Sequence, residues 1–280
     1  MKRRKMSPEQ SNLSANRPLL FESNTTMSAT IIGLISILFI FSGALIGIWL
    51  QKLLPGHHLD KNSHEIVKLG SGMIGTLTAL VLGLLVSSAK TSFDTMNNGI
   101  VQGSTKIIML DRVLAHYGPE TEPIRKKLQF AVQSSLEKIW PTKVNGISGI
   151  QALDQGNAND GILGGLLALK PQTDAQRLLL SQAFQLVNDF TQTRWLMVEQ
   201  TQGGIPVPFL VILIFWLTVL FVSFGMFTPR NATVVVVLFV CACSVSAAIF
   251  LELELNNPLD GVIKVSSAPL RNALKHISPE

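Results

Sequence analysis

The sequence predicts an all-α membrane protein with four transmembrane helices, at about 29–50, 70–89, 206–227 and 232–252, and an α-helical cytoplasmic extension between spans two and three. Three observations carry that reading. Hydrophobic residues make up 47% of the chain and charged residues 15%, against roughly 25% charged in a soluble domain. The charges are unevenly placed and leave long stretches almost free of them. Four of those stretches reach the ~20 apolar residues that a helix needs to cross a bilayer.

Residues 1–28 form a tail carrying Lys2, Arg3, Arg4, Lys5 and Arg17. It is expected to be disordered, and its basic residues place it in the cytoplasm. The Lys2–Lys5 run also suits anionic lipid, at roughly 1 kcal/mol per basic residue. It is too short and too close to the bilayer to argue for nucleic acid. The first span starts too late and runs too long for a cleaved signal peptide. Spans three and four are joined only by "TPRNA" and therefore form a helical hairpin. Only Arg230 lies in that connection, whereas Lys264, Arg271 and Lys275 follow span four. Lys52, Lys61 and Lys68 after span one narrow the asymmetry without reversing it, so both termini and the middle region are expected inside.

Residues 90–204 are too polar to span. No proline occurs between Pro55 and Pro119, so span two can continue as one long helix, with Asn97-Asn98-Gly99 its expected break. "YGPETEP" then turns the chain, Thr121 can cap the next helix and Pro123 fits its first turn. That helix should stop at Trp140-Pro141. A third opens at Thr173, with Thr173-x-x-Gln176 reading as a capping box. Its Leu179, Ala183, Leu186, Phe190, Thr193 and Met197 form a seam for packing another helix. Residues 142–172 read as glycine-rich and irregular; "GILGGLLAL" at 161–169 is too short to cross, and either packs on the bundle or touches the membrane.

Span two has the most informative face. At 100° per residue, Gly72, Gly75, Thr76, Ala79, Gly83, Ser87 and Lys90 fall within about 60° of one line. Leucines and valines occupy the other side. Such a stripe serves either close helix packing or the lining of a pore. Glu252 and Glu254, in "LELELNNPLDG" at the end of span four, are about 200° apart on a helix and cannot share one face. They read as a polar site at the membrane exit, reaching water or headgroups, or as one glutamate placed on an ion path.

Other chemistry is thinly supported. Cys241 and Cys243 are two positions apart and cannot bridge each other within a helix. The outer loop offers His57, His58, Asp60, His64 and Glu65, but the spacing matches no ligand motif, so no metal is expected. No G-x-S-x-G, P-loop or Cys–His pair occurs, so no catalytic residues, enzyme activity or cofactor is expected.

Three patches resemble a family of four-span membrane proteins described as bestrophin-like. They are "GTLTALVLGLLVSSAK" (75–90), "LDRVLAHYGPETEPIRKKL" (110–128) and "LELELNNPLDGVIKVSSAPLRNAL" (251–274). In the last, Glu254, Pro258, Gly261, Val265, Ser266, Pro269 and Leu270 fit the family's pattern. Asn256-Asn257 stand where members often carry Asp-Arg, and Leu259 replaces the usual aromatic. The resemblance implies a single membrane domain over 29–274, followed by a C-terminal tail at 275–280. It further implies a multi-pass protein of a bacterial inner membrane. Bestrophins are pentameric anion channels, so the resemblance also implies a homo-oligomer in the lipid bilayer that passes small ions, with span two lining the path. The alternative is a non-transporting scaffold or regulator that binds a partner through its cytoplasmic helices. In that case the seam at 179–197 should be exposed in the subunit.

Overall fold

A computed structural model describes residues 29–53, 61–140, 157–202, 207–229, 231–259 and 261–278. The basic tail, the His57–His58 loop and residues 142–156 lie outside the described residues. Among those described are eight α-helices and no strand. In chain order they are α1 (Ala29–Leu53), α2 (Lys61–Tyr117), α3 (Glu122–Ile139), α4 (Asn157–Leu167), α5 (Asp174–Gln202), α6 (Val207–Met226), α7 (Ala232–Leu255) and α8 (Ala268–Ile277). Four of them, α1, α2, α6 and α7, are long and apolar enough to cross a membrane.

The membrane core is built by α1, α6 and α7. Ile40 and Ala44 of α1, Leu213, Leu217 and Phe221 of α6, and Ala242 and Ile249 of α7 belong to one buried cluster. Glycines set the spacing of α1 and α6. Gly43 and Gly47 lie four residues apart on α1 and face Thr218, Val222 and Gly225 of α6. A methyl group at Gly47 would collide with the Val222 carbonyl, and one at Gly225 with the Ala44 carbonyl. This is the small-xxx-small packing that lets backbones approach in lipid. Three hydroxyls in this layer are satisfied locally: Ser36, Thr78 and Thr218 donate to the carbonyls of Ile32, Ile74 and Ile214 at 2.7–2.8 Å. That removes the penalty of an unpaired polar group in an apolar setting.

Helix α2 is unbroken over 57 residues, about 85 Å at 1.5 Å per residue. The expected break at Asn97-Asn98-Gly99 does not occur. Gly99 is buried beneath Met197 of α5, and Gly103 lies against Phe190. Packing of α5 therefore outweighs the local cost of glycine in a helix, about 1 kcal/mol per residue. The seam on α5 is spent on this contact: Ala183 and Met197 are buried, and Leu186 and Phe190 pack into the same layer. Lys106 of α2 ties the pair further, donating to the Asp189 carbonyl at 3.0 Å and to Thr193 Oγ1 at 2.8 Å.

The remaining elements close around α2. The "GILGGLLAL" piece belongs to helix α4, which packs on α3 and α5 and buries Ile162 and Leu166. At the start of α5 the Thr173 hydroxyl accepts the Gln176 N–H at 3.1 Å, while Gln176 Oε1 accepts the Gln172 N–H at 2.8 Å. The capping box is thus shifted by one residue on its return arm. Helix α3 ends at Ile139, and Trp140 Nε1 donates to the Val265 carbonyl at 3.0 Å. Helix α8 buries Leu270, Ala273 and Ile277 against α2 and α3, so the C-terminal segment lies with the helical extension.

The glycine contacts make a direct prediction. Gly225→Ala or Gly47→Ala should lower stability by at least about 2 kcal/mol through overpacking. Gly83→Ala, which meets nothing within 4 Å, should not. Thermal unfolding of the three variants in one detergent checks it.

Candidate functional site

The small-residue stripe of α2 points away from the rest of the chain. Gly72, Thr76, Ala79, Gly83 and Ser87 are exposed, and Gly75 is half-buried with Leu220 3.9 Å from where its Cβ would sit. Nothing lies within 4 Å of the Gly72 or Gly83 positions. Within this subunit the stripe therefore packs a helix only at its Gly75 edge, against Leu220. The close packing happens instead at Gly43, Gly47 and Gly225, whose G-x-x-x-G spacing in span one was the legible signal that the stripe overshadowed.

Opposite the stripe, Leu77, Leu80 and Leu84 are exposed as well. Helix α2 meets the membrane core along a narrow line through Ile74, Val81, Leu82 and Leu85, with Thr78 and Ala89 buried on the same side. Only 6% of its most apolar window is buried, against 33%, 28% and 22% for α1, α6 and α7. Lower down the same helix is well covered, with Met96, Ile107, Leu110 and Leu114 all buried. The open face carries hydroxyls throughout: Thr76, Thr91 and Thr95 donate to the carbonyls of Gly72, Ser87 and Thr91 at 2.7–2.9 Å. Such hydroxyls keep an oxygen free to accept from water or a ligand. Where the apolar stretch ends, Lys90 and Asp94 form an exposed ion pair one turn apart.

The two glutamates of span four do not reach water. Glu252 continues the inward line of Leu238, Ala242, Ser246 and Ile249, and is fully buried. Neither of its carboxylate oxygens, nor the Ser246 hydroxyl, has a hydrogen-bond partner among the described residues. Glu254 lies on another face, as the helical rotation requires, yet the chain folds back and buries it too. Its Oε2 accepts the backbone N–H groups of Val262 and Ile263, the latter at 3.2 Å. Gly261 is adjacent, and a methyl group there would strike the same carboxylate. Glu254 is thus the clamp of the turn after α7. Within the subunit, then, the turn after α7 covers Glu254 and the bundle encloses Glu252, so neither side chain reaches solvent there.

The "LDRVLAHYGPETEPIRKKL" patch has its own logic. Asp111 is buried and takes a two-point hydrogen bond from Arg125, Nε to Oδ1 at 2.8 Å and Nη2 to Oδ2 at 3.0 Å. That hydrogen bond holds the Arg125 guanidinium above its already high range. Gly118 has φ 139° and ψ 178°, a conformation essentially reserved for glycine. Thr121 precedes α3 but does not cap it. Its hydroxyl donates instead to the carbonyls of Leu114 at 2.6 Å and Gly118 at 2.8 Å, fastening the end of α2. Cys241 and Cys243 are both free thiols, and no group of three metal-capable side chains occurs among the described residues.

An all-helical, four-span membrane protein with a long second helix open along its membrane half is the class that this fold defines. The sequence model of the Bestrophin-like domain matches residues 38–270, and the chain belongs to that family. Crystal structures of variants of a bacterial bestrophin homologue from Klebsiella pneumoniae share the fold. One matches with TM-score 0.63 and 13% identity, covering 87% of this chain and 97% of that one. A second matches with TM-score 0.62 and 13% identity over 88% and 97%, and a third with 0.56 and 14% over 87% and 97%. At these identities the likeness is one of fold. No curated protein matches the chain.

Two outcomes follow. Glu254→Ala should cost about 3 kcal/mol, the loss of hydrogen bonds to a charged acceptor, whereas Glu252→Gln should leave stability unchanged or higher because no partner is lost. Arg125→Ala should cost about 3 kcal/mol by leaving the buried Asp111 carboxylate unpaired. Denaturation in detergent, scored against wild type, measures all three.

Proposed function

We propose that the protein is an oligomeric, bestrophin-like channel for small ions, with the α2 helices of several subunits lining the path. The observation that carries this reading is the contrast along α2. Its lower half buries one broad face through Met96, Ile107, Leu110 and Leu114, while its membrane half is bare on both the small-residue and the leucine faces. A second span that is so poorly covered in the subunit needs lipid or other copies around it. A small, hydroxyl-bearing stripe suits a narrow path, and an apolar neck can gate by dewetting. The alternative of a scaffold loses its best feature, since the α5 seam at 179–197 is occupied by α2 of the same chain.

The same proposal places the protein in a bacterial inner membrane with both termini cytoplasmic. An even number of spans supports termini on one side, and the packing of α8 on α2 and α3 supports a helical extension on that side too.

Proteoliposome flux tests the proposal. Wild-type protein should release chloride, sodium or potassium, and Gly83→Trp should reduce that flux at least about tenfold while oligomer size is unchanged. The Gly83 position is open, so the indole needs no rearrangement of the subunit. Well-inserted wild-type protein that passes none of these ions would return the scaffold to first place.

A further inference from the structure

The helical extension contains a second feature that conduction does not use. Helices α3 and α5 flank α2 and diverge over it, leaving a cavity of about 130 Å³. Its floor is Ile107 and Leu110 of α2, its walls Val132 and Ile139 of α3 and Val187 and Phe190 of α5. Small side chains, Ser104, Ala131 and Ser135, make the room. A volume near 150 Å³ in an apolar setting accepts a benzene-sized body.

One edge of the cavity is cationic. Arg194 and Lys106 both line it, and among the described residues no aspartate or glutamate does. Arg194 Nε is buried and has no hydrogen-bond partner among the described residues. Its guanidinium carbon lies 5.4 Å from the centre of the Trp195 ring, which supports the side chain without supplying an acceptor. Lys106 spends two of its three donors on the Asp189 carbonyl and the Thr193 hydroxyl, leaving one free. The Ser104 and Ser135 hydroxyls donate to their own helices, to the carbonyls of Ile100 and Ala131. A buried donor without an acceptor calls for one from outside, and an anion beside two cations meets that need best.

We propose that this cavity binds a small amphipathic monocarboxylate, its ring-sized apolar body between α3 and α5 and its carboxylate on Arg194 and Lys106. The site is built entirely within one subunit and is separate from the membrane half of α2. It stands or falls independently of the channel reading.

The test is binding by the full-length protein in detergent, with benzoate as the probe and benzyl alcohol and benzylamine as charge controls. Benzoate should raise the unfolding temperature saturably and perturb tryptophan fluorescence, because Trp140 lines the cavity and Trp195 adjoins Arg194. Benzyl alcohol and benzylamine should bind about tenfold more weakly or worse, the value of one charge-assisted hydrogen bond. Arg194→Gln should weaken benzoate by a similar factor. Ala131→Leu should fill the cavity and abolish binding while the protein, unliganded, unfolds at or above the wild-type temperature. No saturable binding of benzoate by folded wild type would overturn the proposal. So would equal binding of benzoate and benzyl alcohol that Arg194→Gln leaves unchanged.

Discussion

One unbroken helix governs this molecule. α2 runs through the membrane layer and the helical extension without a break, so a single continuous helix joins the two layers. Every other part of the extension is organised by that rod: α5 lies along it through Gly99 and Gly103, α3 returns to it through the Asp111–Arg125 pair, and α8 seals the junction. The turn after α7, clamped by Glu254, then delivers α8 to its place. A break at Asn97 would free the extension to swing, and the packing of Met197 and Phe190 over the two glycines prevents it.

The same rod is unevenly covered, and the reason is compositional. In the extension its apolar residues recur on one broad face and find α5, α3 and α8. In the membrane both its faces are apolar or small, and only a narrow line meets α6 and α7. Small residues therefore serve two different ends in this protein. Gly43, Gly47 and Gly225 let α1 and α6 touch within the subunit, whereas Gly72, Ala79 and Gly83 are left facing outward.

The four spans were legible because length and hydropathy in lipid depend on little else. The helices of the extension were legible from periodicity and from proline placement, and the seam on α5 was read correctly as a packing face. Asn97-Asn98-Gly99 misled because breaker residues report local cost, and the partner that offsets it lies about a hundred residues away. The glutamates show a different limit. Helical rotation correctly separated Glu252 from Glu254, but it carries no information about a chain that folds back over the second face. For the stripe on α2, spacing alone identified a surface without identifying what covers it. The Arg194 cavity left no sequence signal, since it arises from three helices diverging and from small residues far apart in the chain.

The claim on which this account rests is that the stripe of α2 faces water inside an assembly of subunits. Its most direct test is reaction of single cysteines with a membrane-impermeant thiol reagent, in a background with Cys241 and Cys243 replaced by serine. The account predicts that Thr76→Cys, Ala79→Cys and Gly83→Cys react in membranes while Ile74→Cys and Leu85→Cys, on the packed line, stay protected. Protection of all three stripe positions in a correctly assembled protein would contradict it.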